Sequence, residues 1–170
     1  MIIEPNITGM YRVFLLLGTN LGDRLHNLAE ALREVDKRVG PLVRRSSIYS
    51  TAAWGNTNQP DFYNQVVEVL TRLQAEALLQ EALNIERDMG RVRIEKWGER
   101  LIDIDILFFG NLRIENNGLT IPHPQIAHRR FTLVPLAEIA GTMVHPVLNK
   151  TIDTLLDECA DPLPVTRLEL

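Results

Sequence analysis

The densest chemistry in the chain lies in one run, Arg100-Leu101-Ile102-Asp103-Ile104-Asp105-Ile106-Leu107. Side chains alternate between faces along a strand, so an extended run puts Ile102, Ile104 and Ile106 on one face and Asp103 and Asp105 on the other. Two carboxylates so close repel each other, and a positive charge is expected between them. Mg²⁺ suits that position, because it takes carboxylate oxygens together with substrate phosphates. An amphipathic strand with a solvated acidic face explains the same pattern, and on the strand alone that plainer reading is slightly favoured. The preceding loop shifts the balance. Gly90-Arg91-Val92-Arg93-Ile94-Glu95-Lys96-Trp97-Gly98-Glu99-Arg100 gathers four cations and two carboxylates in an acidic protein. Arginine meets phosphate through a planar fork of donors, so cations beside a carboxylate pair suit a metal–polyphosphate. A solvated loop with internal pairs such as Arg91 with Glu95 is the bland alternative. Trp97 argues mildly against it, since a loop tryptophan often covers something flat.

A second group of residues suits a flat ligand. Phe62, Asn64 and Val66 fall on one face of an extended segment, where a ring can stack on a heterocycle and an amide can bond its edge. Thr51 and Trp54 in the loop before it would complete the pocket. A core phenylalanine and a strand-starting asparagine are the simpler account. Thr120-Ile121-Pro122-His123-Pro124 and His128-Arg129-Arg130-Phe131 add two histidines and two arginines. A lone histidine is more often structural, yet His123 and Arg129 could face a phosphate chain. His26 and His145 read as structural or surface residues, and Cys159 as a packing thiol. The chain has neither G-x-x-x-x-G-K-[ST] nor G-x-G-x-x-G, so a nucleotide must be held by side-chain cations and metals.

The positioning elements follow from hydropathy patterning. Val13 to Leu17 reads as a buried strand. Leu25, Leu28, Ala29, Leu32 and Val35 mark a helix that stops near Gly40-Pro41. Leu42 to Tyr49 and Phe62 to Leu70 read as the second and third strands, Gln74 to Asp88 as a second helix, and Leu101 to Phe109 as the fourth strand. This is an α+β protein with a ferredoxin-like βαββαβ core: an antiparallel sheet with helices on one face, followed by additional short strands and helices near Thr132–Ala140 and Thr151–Cys159. The other sheet face is left for a site or for further elements, and most of it is expected to be active site. The 170 residues suit a single domain, with a loose arm over 1–10 and a tail over 160–170 in which Pro162 and Pro164 disfavour a helix. Net charge is −4, from 18 Lys+Arg against 22 Asp+Glu, which gives no global pull on nucleic acid or anionic membrane. There is no apolar run of membrane-spanning length and no signal-peptide pattern at the start. The single cysteine excludes an internal disulfide. A cytoplasmic protein is expected.

Taken together, Lys96-Trp97-Gly98-Glu99-Arg100-Leu101-Ile102-Asp103-Ile104-Asp105-Ile106-Leu107, Leu17-Gly18-Thr19-Asn20-Leu21-Gly22, Gln59-Pro60-Asp61-Phe62-Tyr63-Asn64, and Pro122-His123 with Arg129 and Phe131 resemble the 6-hydroxymethyl-7,8-dihydropterin pyrophosphokinases of folate biosynthesis. The resemblance runs from about Tyr11 to Cys159. It implies transfer of the β,γ-diphosphate of ATP to the pterin hydroxymethyl group with release of AMP. By matched position it implies two Mg²⁺ ions on Asp103 and Asp105, with ATP as co-substrate. Phe62 and Phe131 would sandwich the pterin. Asn64 and the Thr51-Ala52 segment would bond its edge, and Trp54 would close the pocket. Arg91 and Arg100 would meet the triphosphate, with Arg93 and Trp97 in the same loop. Ile106, Thr120, His123 and Arg129 would complete the ATP site. The resemblance also implies a monomer without nucleic-acid or membrane partners. Phe62 stands where the family often has tyrosine, which keeps the ring, and Pro124 where a phosphate-contacting tyrosine is frequent. Two rivals remain: an RNA-binding module of the same fold, which lacks its aromatic signature here, and a regulatory domain that binds ligand without turnover.

Overall fold

A nine-residue strand, β1 (Tyr11–Thr19), forms the middle of the protein and is buried from Val13 to its end. Its alternating side chains feed two separate cores. The computed structural model describes residues 9–53, 58–90, 101–116 and 118–170. β1 pairs antiparallel with β4 (Phe62–Thr71) on one side and β5 (Asp103–Phe109) on the other. β2 (Leu42–Arg45) and β3 (Tyr49–Thr51) both pair with β4, and β8 (Val165–Arg167) adds beyond β3. The six-stranded sheet therefore runs β5-β1-β4-β3-β8 with β2 beside β4, every pairing antiparallel. A separate hairpin joins β6 (Ile114–Asn116) to β7 (Leu119–Ile121).

Helices α1 (Arg24–Arg38) and α2 (Ala75–Asp88) pack on one face. Asp23 caps α1, its carboxylate accepting the His26 N–H at 3.0 Å. Leu28, Ala31 and Val35 from α1 and Leu78, Ala82 and Ile85 from α2 meet Val13, Leu15, Leu17, Val67, Ile104 and Ile106 in one apolar cluster. Each fully buried Leu or Ile contributes about 1.5–3 kcal/mol. Ile104 and Ile106 lie under the helices, as alternation along β5 requires. A register shift between Phe14 and Leu15 then breaks that alternation, and both Leu107 and Phe108 join the opposite core.

The opposite face corrects the expectation of an open sheet. Helices α3 (Arg130–Ala140) and α4 (Ile152–Glu158) cover it, burying Phe14, Leu16, Val66, Leu107 and Phe108 beneath Leu133, Leu136, Ile152 and Leu155. Leu16 and Val66 are apolar on that face, so leaving it bare would expose a core's worth of hydrocarbon. The strand expected over Leu42–Tyr49 is also divided. Ser46 interrupts it: its N–H donates to Val66 O at 2.9 Å and its hydroxyl accepts the Val66 N–H at 3.0 Å. A side chain thus replaces a ladder carbonyl, and the chain re-enters the sheet three residues later as β3. The expected tail over 160–170 holds strand β8. Its prolines precede the strand and leave the Val165–Arg167 donors intact. Among the described residues no helix is long and apolar enough to cross a membrane.

Candidate active site

Asp103 and Asp105 project from β5 on the face opposite Ile104 and Ile106, and both are half-buried. α2 fixes the strand between them. The buried Glu86 carboxylate accepts the Ile104 N–H at 2.8 Å. No motif marks Glu86, but a carboxylate four residues after Ala82 on the buried stripe of α2 is a visible signal.

One register row crosses the sheet from the acidic pair to the flat-ligand candidates. Asp103 lies opposite Gly18, Gly18 opposite Asn64, and Asn64 opposite Tyr49. Directly paired residues share a face, so Asn64 and Asp103 flank a position that carries no side chain. A Cβ on Gly18 would lie 2.8 Å from Asn64 Oδ1. Gly18 thus lets the Asn64 amide lie across β1. Asn64 is buried, and its Nδ2 donates to Thr51 Oγ1 at 3.0 Å. Thr51 in turn pairs with the half-buried Phe62. Three candidates, Thr51, Phe62 and Asn64, therefore form one patch. Ala52 beside them is exposed.

Two sequence motifs that are far apart meet at the sheet end. Asn20 Nδ2 donates to Gln59 Oε1 at 3.1 Å and to Pro60 O at 3.3 Å. Arg24 donates to Asp61 O at 2.8 Å, and its guanidinium lies 3.9 Å from the Tyr63 ring centroid. These contacts fix the chain just before Phe62, and no periodicity in the sequence announced them.

The second ring, Phe131, is half-buried at the start of α3 against the second core. The Arg129 guanidinium lies 5.6 Å from its centroid. Burial and then Arg129 push the His123 pKa below its ordinary 6.5, and Asp103 pulls the other way. The imidazole is therefore neutral near pH 7. Its Nδ1 accepts the Gln125 N–H at 3.2 Å, which leaves the proton on Nε2. A cavity of about 350 Å³ adjoins it, lined by Arg113, Glu115, Thr120, His123, His128 and His145, so Thr120 and His123 share one hollow. Ile106 is the exception among the ATP candidates. Its side chain is buried in the core under the helices, away from the acidic pair. Any ligand contact from it is through the backbone. Trp54, Arg91, Arg93, Lys96, Trp97 and Arg100 lie outside the described residues.

His26 is exposed near Glu30. His145 is buried, its Nδ1 accepting the Val147 and Leu148 N–H groups, each at 3.2 Å. Cys159 is buried in the second core. All three are placed as their structural or surface readings require.

On this mixed α/β fold a carboxylate pair, a buried amide and a half-buried ring share one face of an antiparallel sheet, the residue types a small-molecule enzyme uses. The chain belongs to the 7,8-dihydro-6-hydroxymethylpterin-pyrophosphokinase (HPPK) family, whose model matches residues 14–141. It is 45% identical over 152 residues to the 2-amino-4-hydroxy-6-hydroxymethyldihydropteridine pyrophosphokinase of Synechocystis sp., covering 88% of this chain and 77% of that one. It is 40% identical over 153 residues to the protein of that name from Haemophilus influenzae, covering 89% and 95%. Among solved structures, Plasmodium falciparum HPPK-DHPS with pteroate aligns at a TM-score of 0.74 and 20% identity, covering 88% of this chain and 42% of that one. At 20% identity that likeness speaks for the fold alone, and this chain spans less than half of that one.

Proposed function

We propose that the protein transfers the diphosphate of ATP to the hydroxymethyl group of 6-hydroxymethyl-7,8-dihydropterin, giving AMP and the pterin diphosphate, a step of folate biosynthesis. Membership of the family, with Asp103 and Asp105 on one face of β5, is the observation that carries it. The whole chain then acts as one pyrophosphokinase domain, monomeric and cytoplasmic, without nucleic-acid or membrane partners. We read the βαββαβ part as ferredoxin-like, and the order β5-β1-β4 with β2 and β3 beyond supports that.

Hard carboxylate oxygens on one face fit Mg²⁺, and among the described residues no third protein ligand joins them. Substrate phosphates and water would complete the shell. Two ions are the reading, held by Asp103 and Asp105. Held by Asp103 and Asp105, Mg²⁺ would supply positive charge against the phosphates and make the attacking hydroxyl more acidic.

The chain's own residues divide the remaining work. Phe62 and Phe131 stack on the pterin. Asn64, held by Thr51, presents its amide to the heterocycle edge beside the Ala52 backbone, with Trp54 closing the pocket. His123 donates its Nε2–H to a phosphate oxygen, Arg129 adds charge, and Thr120 and the Ile106 backbone meet the nucleoside end. Arg91, Arg93, Trp97 and Arg100 are assigned to the triphosphate from sequence. The pterin oxygen then attacks the β-phosphorus in line. The new O–P bond forms as the bond to the α,β-bridging oxygen breaks, AMP leaves with that oxygen, and the hydroxyl proton passes to water or to an aspartate of the pair. Such transfer depends mainly on positioning and charge.

Incubation with ATP, Mg²⁺ and the hydroxymethyl-dihydropterin tests this. AMP release that requires the pterin supports the proposal. Binding without AMP would identify a regulatory domain instead.

A further inference from the structure

The segment after α4 touches both α3 and β3, the elements that carry the candidate pterin residues Phe131 and Thr51. Helix α3 begins at Arg130 without a capping side chain of its own, since Arg129 occupies the cap position and makes no such bond. Asp161 supplies the cap from a distant part of the chain. This carboxylate is 8% exposed, and its Oδ2 accepts the Arg130 backbone N–H at 3.0 Å. Its Oδ1 accepts the Leu163 N–H at 3.1 Å, which folds the segment onto itself. The Arg130 side chain completes the lock, donating through Nε to Asp161 O at 3.1 Å and through Nη2 to Cys159 O at 3.3 Å. Arg130 is therefore committed to this segment, while its neighbour Arg129 lies beside Phe131. An orphaned N–H at a helix start is satisfied here by a formal charge, which also complements the helix dipole.

A few residues later the same segment becomes β8. It lies along β3, with Val165 opposite Thr51 and Thr166 opposite Ser50, and the Leu168 N–H donates to Ile48 O at 2.9 Å. Donors two apart on a strand point the same way, so the Thr166 N–H also faces β3. Thr51 is the residue whose hydroxyl holds Asn64. One short stretch thus grips the start of α3, which carries Phe131, and the strand that orients Asn64 beside Phe62. A second link between α3 and β3, from Tyr49 Oη to Glu138 at 2.8 Å, lies two turns further along the helix and leaves its start to Asp161.

We propose that the segment from Cys159 to Leu168 is a strap that sets the spacing of the pterin slot, with Asp161 as its positioning residue. The proposal rests on the functional reading above, because it assigns the slot to a pterin. A strap that served only general stability would lower the melting temperature and leave ligand affinity alone. A positioning strap changes affinity in a protein that is still folded.

The test compares the wild type with the full-length variants Asp161→Ala, Asp161→Asn and Thr166→Pro. The hydroxymethyl-dihydropterin is titrated by fluorescence at a temperature where all four are folded by circular dichroism. Asp161→Ala should raise the pterin Kd about tenfold, the cost of one charge-assisted hydrogen bond. Asp161→Asn should recover only part of that, because its single amide oxygen can accept the Arg130 N–H but its NH2 then faces the Leu163 N–H. Thr166→Pro should also weaken pterin binding, although Asp161 is untouched. A pterin Kd within about twofold of wild type in both Asp161→Ala and Thr166→Pro overturns the proposal, whatever their melting temperatures. Hydrogen exchange at the Arg130 amide gives a readout that needs no substrate. If the wild type binds no pterin, the functional reading fails on its own account. Exchange at Arg130 must still accelerate in Asp161→Ala, and unchanged exchange there overturns the strap.

Discussion

At the scale of single residues the site is built from small exclusions as much as from reactive groups. Asp103 and Asp105 carry the charge, and each replaced by Ala should lower pterin-dependent AMP release by orders of magnitude while circular dichroism stays native, because alternation on β5 keeps them off the core under α1 and α2. Near-normal turnover in both variants would sink the metal assignment. Gly18 is the counterpart with no side chain at all. Gly18→Ala puts a methyl 2.8 Å from Asn64 Oδ1, so the amide must move. We expect a loss of about 1–3 kcal/mol from crowding, measurable by urea unfolding, together with weaker pterin binding. The aspartates were legible because strand periodicity reports faces. The role of Gly18 was not, since it depends on which residue of β4 lies opposite, and register is a long-range property.

At the scale of elements, charged residues tie strands and helices together away from the site. Glu68 on β4 is buried and bonds Arg12 on β1 and Arg44 on β2, the latter at 2.6 Å. Burial raises its pKa, but the two arginines outweigh burial and hold the carboxyl below its ordinary 4.5. A depressed folded pKa stabilises the protein above the ordinary value, and that stability is lost as the pH falls through the folded one. The urea midpoint of the wild type should therefore fall more steeply on the acid side of pH 4.5 than that of Glu68→Gln. Equal acid slopes would contradict the pairing. The Tyr49 hydroxyl, pushed up to about 12 by burial and by its bond to Glu138, stays protonated and keeps α3 against β3 across the working range. Most elements were readable from their periodicity, whereas the break at Ser46 and the strand β8 were not. Both depend on partners distant in sequence: Val66 for the first, β3 for the second.

For the whole molecule, a net charge of −4 sets a condition on its substrate. A polyanion has little general reason to approach, so ATP should bind through Mg²⁺ held at the acidic pair. Removing divalent ions with EDTA should weaken ATP binding at least tenfold, roughly the loss of a single strong charge contact, and leave pterin binding nearly unchanged. Calorimetry of each ligand with and without Mg²⁺ measures both. Equal affinity for ATP in the two conditions would mean that arginines alone hold the triphosphate. The molecule also proved more enclosed than a two-layer reading suggested. Helices α3 and α4 take most of the second sheet face, so the candidate site is left the sheet end where Asp103, Gly18 and Asn64 stand in line, with the Thr51–Phe62 pair beside them.

The sequence by itself determined the family, the alternation of β1, α1, β4, α2 and β5, the faces of β5 and the residue types of the candidate site, because those depend on local periodicity and on motifs a few residues long. Only the tertiary structure decided that the open face is covered, that Glu86 steadies the acidic strand, that Gly18 makes room for Asn64, and that Asp161 caps the helix carrying Phe131. Each of these is a contact between residues far apart in the chain. Such contacts are fixed by packing and by the satisfaction of buried polar groups, which act through space and leave little trace in local pattern.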